Sequence, residues 1–196
     1  MYVGTISAEA ATGQVRELYD RDLAGLGFVA TDSNLFSLRP AIHVAWRELV
    51  KELRKTIHLR RYELVTIAAA RALGCRACVS AHGAALLRNG LVDRSQLEAI
   101  VRNFRDAGLE PLEVAMMDLA EKVAIDARRV GPADIEGLRS LGLDDGEIFD
   151  VVLAAAARAF YSKTLEALGV PPSPELLETN GLLDLVEDRP VTLPCC

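Results

Sequence analysis

With 196 residues, the chain is long enough for one well-buried domain and too short for more than two small ones. About half of it is apolar (51%) but only 5% is aromatic, and Ala, Leu and Val dominate, a composition suited to closely packed helices rather than sheets. The formal net charge is −6 and basic residues are dispersed among acidic ones, which excludes the one-sided positive field that nucleic acid or an anionic bilayer would need.

Taken in chain order, Thr12 can cap a helix through about Leu23, and the glycines and Asp32-Ser33-Asn34 after it read as a loop. Pro40 suits a helix's first turn, with Ile42, Ala45, Trp46, Leu49, Val50 and Leu53 recurring at helical spacing as far as Thr56. The run RYELVTIAAARAL, from Arg61 to Leu73, is apolar on most sides and predicts a buried helix that stops at Gly74. Cys75 opens the next helix, in which Cys75, Cys78, His82 and Ala85 share a face until Asn89-Gly90 closes it. Asp93 or Ser95 caps a helix to about Phe104, Pro111 starts one through Ala127, and Pro132 starts a shorter one. Asp144 and Glu147 are spaced as a capping box before the apolar run IFDVVLAAAARAFYSKTLEAL, which Gly169 ends. A short helix is expected around residues 176–186, ahead of a mobile tail. Arg60-Arg61 and Arg128-Arg129, the adjacent arginine pairs, suit a solvated surface.

No segment approaches the roughly 20 consecutive apolar residues of a membrane span. The opening MYVGTISAEAATGQ lacks the regions of a signal peptide, so a cytoplasmic protein is expected. The four cysteines fall as Cys75/Cys78 and the terminal Cys195/Cys196, and in a reducing compartment such pairs are more often catalytic or metal-binding than structural. Two thiols three apart in a helix's first turn can close a disulfide, and the helix N-terminus favours a thiolate. His82, one turn beyond Cys78 on the same face, is the natural base for that thiol. Glu63, a carboxylate in an otherwise apolar run, needs a partner or polar cavity, and would orient the imidazole if within reach.

Glu63, eleven intervening residues, Cys75-x-x-Cys78, three more and His82 resembles the motif of the alkyl hydroperoxidase D family, within the carboxymuconolactone decarboxylase-like superfamily. The segment LRRYELVTIAAARALGCRACVSAHGAAL is similar to it, and FSLRPAIHVAWRELV and AFYSKTLEALGVPP resemble its peroxidase-related branch. The resemblance implies an all-α bundle, a single domain of about eight helices, with an N-terminal helix and loop over 1–34, the core over 35–172 and a C-terminal helix and tail over 173–196. It implies a cofactor-free peroxidase in which Cys78 is the peroxidatic cysteine, Cys75 the resolving one, and His82 with Glu63 the proton relay. A dithiol or a lipoylated protein would reduce the disulfide, the substrate would be an organic hydroperoxide or small disulfide, and the chain would assemble as a homo-oligomer, a trimer or hexamer. Some members carry a histidine immediately before the second cysteine; Ala77 stands there in this chain, so a shorter relay is expected.

Three other readings compete. Zinc could use Cys75, Cys78 and His82 with His43 or His58, but a helix flanked by an unbroken apolar helix has little need of a structural metal, so no metal is expected. His43 and His58 read as packed or surface histidines, and Trp46, Phe160 and Tyr161 as core or interface aromatics, with Tyr161 able to line a pocket. A redox-sensing or thiol-disulfide exchange protein would use the same pair without efficient peroxide turnover. The lactone decarboxylase activity that names the superfamily does not rely on a cysteine pair.

Overall fold

The computed structural model describes residues 1–180, and among these it is all-α, as expected. Ten α-helices run in the order α1 (Gly13–Leu26), α2 (Thr31–Phe36), α3 (Pro40–Thr56), α4 (Leu59–Ala72), α5 (Arg76–Arg88), α6 (Arg94–Asn103), α7 (Pro111–Asp126), α8 (Pro132–Ser140), α9 (Asp145–Ala167) and α10 (Pro174–Asn180). Eight of the ten span nine residues or more, and single 3-10 turns follow α6 and α7. None of the described helices is long and apolar enough to cross a membrane.

The starts are written locally. Pro40, Pro111 and Pro132 each occupy a first helical turn, where the missing N–H costs nothing. Asp93 accepts from the Gln96 amide, and Asp144 forms the reciprocal capping box with Glu147.

At the centre lies α4, every residue of which from Tyr62 to Ala70 is buried. Helices α5, α7 and α9 enclose it. Its alanines let neighbours approach closely, while Leu64, Ile67, Leu86, Leu97, Ile100, Phe104, Met116 and Met117 fill the interior. The arginines of α4 hold this arrangement from the rim. Arg60 pairs with Glu113 of α7 at 2.6 Å, Arg61 with Glu147 of α9 at 3.3 Å, and Arg71 with Glu121 of α7 at 2.6 Å while also donating to the Val101 carbonyl at 2.8 Å. Arg60 and Arg61 are therefore inter-helix ties, not the solvated pair expected from sequence. Arg128 and Arg129 fit that expectation, both exposed, with Arg128 paired with nearby Asp126.

Three further expectations are corrected. Asp32-Ser33-Asn34 is helical, inside α2. Asp22 accepts the Ala30 amide at its start (3.0 Å) and Ser173 the Thr31 amide (3.0 Å), so distant residues build this helix rather than local propensity. On α3 the inward stripe is His43, Trp46, Val50 and Leu53, one position round from Ile42, Ala45 and Leu49, which face outward. The rotation carries His43 into the interior. The helix expected over residues 176–186 begins earlier, at Pro174, and its later part lies outside the described residues.

Candidate active site

The dithiol is placed by the turn between α4 and α5. Gly74, at φ 69°, takes the left-handed conformation that terminates α4, the Gly74 amide donates to the Arg71 carbonyl (3.1 Å) and the Cys75 amide to that of Ala70 (2.9 Å). Cys75 is thereby the N-cap of α5, and Cys78 sits in its first turn. Both are free thiols, 0% and 2% exposed. They are not electrostatically alike. The Cys75 thiol hydrogen-bonds to Cys78, which lowers the latter to about 6 against the cost of burial, with Arg158, Ser162 and His82 assisting. The same contact, together with burial, drives Cys75 far upward. The surroundings therefore favour the proton on Cys75 and the negative charge on Cys78.

Glu63, buried on α4, lies 2.5 Å from Nδ1 of His82 on α5. Thr66, one turn further along α4, brings its hydroxyl to 3.1 Å from the same nitrogen. That hydroxyl already donates to the backbone carbonyls of Tyr62 and Glu63 (2.9 and 3.0 Å), so it can only accept from the ring. Two acceptors at Nδ1 require the proton there, which leaves Nε2 with the lone pair whenever the imidazole is neutral. The helix spacing that puts His82 one turn after Cys78 thus presents a ring held in a fixed tautomer.

The sequence reading overlooked Arg158. It is buried on α9, its Nη1 lies 3.5 Å from Cys78 Sγ, and its guanidinium sits over Trp46 and Tyr161 at 5.4 and 5.3 Å from the ring centres. A cavity of ≈ 200 Å³ opens onto Cys78, with His43, Trp46, His82, Arg158 and Tyr161 in its wall. Trp46 and Tyr161 stack at 4.6 Å, and the Tyr161 hydroxyl donates to Asp32 at 2.6 Å. His43 packs between Phe36 and Tyr161 and its Nδ1 has no hydrogen-bond partner. Beyond His82 and Arg158 a wider groove of ≈ 760 Å³ is bordered by Arg47, Lys51 and Arg54.

The four residues singled out in the sequence therefore form two pairs, Cys75 with Cys78 at the turn between α4 and α5 and Glu63 with His82 between the two helices, and Cys78 and His82 line one cavity. Tyr161, expected to be able to line a pocket, and Trp46, read as a core or interface aromatic, form the cavity wall, while Phe160 lies largely exposed. His43 is a packed histidine as expected but also lines the cavity, whereas His58 is an exposed N-cap elsewhere. Among the described residues no three of His, Cys, Asp and Glu gather as metal ligands. Cys195 and Cys196 lie outside the described residues. A signal for Arg158 was present: like Glu63, it is a lone charge in an Ala-rich buried run, where an unpaired ion would be costly.

Residues 40–122 match the model of the carboxymuconolactone decarboxylase family. Among known structures, the chain is similar to an alkylhydroperoxidase AhpD core, an uncharacterized peroxidase-related protein from Ralstonia eutropha JMP134. Identity is 24% and the TM-score 0.80, over 89% of this chain and 93% of that one. A peroxidase-related protein from Silicibacter sp. TM1040 is 23% identical with a TM-score of 0.74, over 90% and 91%. The debrominase Bmp8 is 16% identical with a TM-score of 0.73, over 94% and 97%, and a cysteine-to-alanine variant of that debrominase has been solved in complex with 2,3,4-tribromopyrrole. No curated protein sequence matches the chain.

Proposed function

We propose that this chain, which belongs to the alkyl hydroperoxidase D-like and carboxymuconolactone decarboxylase-like superfamily, is a thiol-dependent peroxidase working through a Cys75–Cys78 disulfide. The observation that carries the reading is the buried pair of free thiols with the Arg158 guanidinium 3.5 Å from Cys78, surroundings that lower Cys78 and raise Cys75. Only a thiolate attacks oxygen at a useful rate. Cys78 attacks the terminal oxygen of a small organic hydroperoxide, the S–O bond forms as the O–O bond breaks, and the alkoxide leaves. His82, held by Glu63, takes the Cys78 proton beforehand and returns it to the alkoxide, which departs as an alcohol. Cys75 then attacks the Cys78 sulfenic acid, expelling water and closing the disulfide, and an external dithiol or lipoylated protein restores both thiols.

The test is peroxide consumption by reduced protein supplied with cumene hydroperoxide and a dithiol. Cys78→Ser should abolish turnover, and His82→Ala should slow it about a hundredfold. Unchanged rates in both variants would sink the assignment.

A second reading rests on the aromatic wall of the cavity and on the fold shared with a debrominase. The same dithiol would strip halide from a small halogenated aromatic, forming the Cys75–Cys78 disulfide, the reduced arene, a proton and bromide. Bromide release from a brominated pyrrole, run in parallel with the peroxide assay, separates the two.

A further inference from the structure

Helix α3 carries Arg47, Lys51 and Arg54 at steps of four and three, so the three cations form one exposed stripe about 10 Å long. That stripe borders the ≈ 760 Å³ groove, and Arg21 of α1 joins it there. The groove adjoins the cavity over Cys78, since Trp46, Arg47, His82 and Arg158 line both. The carboxylates at the groove are already engaged: Glu48 pairs with Lys51 at 3.2 Å and Glu63 with His82 at 2.5 Å. Among the described residues Arg21, Arg47 and Arg54 form no ion pair, in a chain whose net charge is −6. Positive charge in excess is therefore concentrated at the approach to the thiols.

A second feature, deeper in, also asks for a ligand. Arg158 is only 6% exposed, and its Nε has no hydrogen-bond partner. Neither has Nδ1 of the buried His43 in the cavity wall. Buried polar atoms left unpaired cost free energy that the oxygens of a bound molecule would recover.

We propose that the groove binds the carboxylate of the oxidant, so that the substrate is an organic hydroperoxide carrying a carboxylate. The inference rests on the peroxidase reading above and names its substrate class. Orientation follows from charge. The attacking Cys78 sulfur is negative and would repel a carboxylate in the cavity, so the neutral hydroperoxide end enters there, among Trp46, Tyr161 and Arg158, and the anionic end stays with Arg47 and Arg54. The carboxylate takes no part in bond making: the S–O bond forms, the O–O bond breaks, and the hydroxy acid leaves.

The probes are 4-(2-hydroperoxypropan-2-yl)benzoate and its methyl ester, reduced with uncharged dithiothreitol. The acid should have a kcat/KM at least about tenfold above that of the ester, residing in KM, and added salt should erode the difference. Arg47→Gln with Arg54→Gln should remove most of the acid-to-ester ratio, a comparison in which the ester reports on any general damage. Calorimetry with the product alcohols, which need no turnover, should show the hydroxy acid binding wild type more tightly than its ester. Equal kinetics and equal binding of acid and ester overturn the inference alone, as does a preference that survives in the double variant. Tighter binding of the acid with neither peroxide consumed overturns the peroxidase reading and leaves the anion groove standing. In a further arm, with cumene hydroperoxide as oxidant, a charge preference seen only between dihydrolipoate and dihydrolipoamide would give the groove to the reductant and overturn its assignment to the oxidant.

Discussion

Cys78 shows how the titration of one side chain is set by its surroundings. Its depressed pKa comes first from the Cys75 thiol and then from Arg158, against the opposing cost of burial. Since the thiolate is the reactive form, alkylation of Cys78 by iodoacetamide should rise with pH through a midpoint near 6. Arg158→Gln removes the nearest cation and should move that midpoint upward by about one unit or more, toward an ordinary thiol. An unmoved midpoint would show that Arg158 contributes only packing against Trp46 and Tyr161. Cys75, Cys78, His82 and Glu63 were legible as one group because their spacing encodes a helix face and because a lone carboxylate in an apolar run demands a partner. Arg158 carried the same signal of a lone charge in an apolar run, but its partner was not legible, since it approaches Cys78 from α9, 80 residues further along the chain. Helical spacing relates residues within an element but says nothing of which helix lies opposite.

The α4–Gly74–α5 junction determines whether the residues meet at all. Gly74 at φ 69° lets α4 stop and α5 start with both thiols in its opening turn. Gly74→Ala places a side chain where the left-handed conformation disfavours it, and should cost about 1 kcal/mol in urea unfolding. It should also slow Cys75–Cys78 closure, because the N-cap cysteine is the next residue. A variant as stable as wild type with normal closure would contradict the structural role given to the turn. Helices with Pro at the start or a capping box at the N-terminus were readable to within a residue or two. The misread elements have non-local causes. α2 depends on Asp22 and Ser173, and α3 is turned by one position so that His43 enters the aromatic cluster, leaving Ile42 and Leu49 outward.

For the whole molecule, burial of a neutral histidine couples stability to pH. Burial lowers the pKa of His43 below its ordinary 6.5, with Asp32 acting upward and Arg47 and Arg21 downward. Below pH 6.5 the unfolded chain therefore binds a proton that the folded chain resists, so stability falls as the solution becomes more acid. His43→Phe keeps a ring against Phe36 and Tyr161 without that proton. Its stability relative to wild type, measured by urea unfolding, should improve between pH 7 and pH 5, and parallel curves would contradict the assignment. Assembly is expected on the outer face of α9, where Phe149 and Phe160 are 61% and 52% exposed and eleven residues apart, on one side of the helix. Replacing both by Asp should lower the mass measured by light scattering if this face joins copies of the chain, and an unchanged mass would place the contact elsewhere.

The central claim is that Cys78 takes the oxidant and Cys75 closes on it. Reduced protein treated with one equivalent of cumene hydroperoxide, trapped with dimedone and mapped by mass spectrometry, tests it most directly. The account predicts a Cys75–Cys78 disulfide in wild type and, in Cys75→Ser, a dimedone adduct confined to Cys78. An adduct on Cys75 in Cys78→Ser formed at the wild-type rate, or two unmodified thiols in wild type, would contradict it.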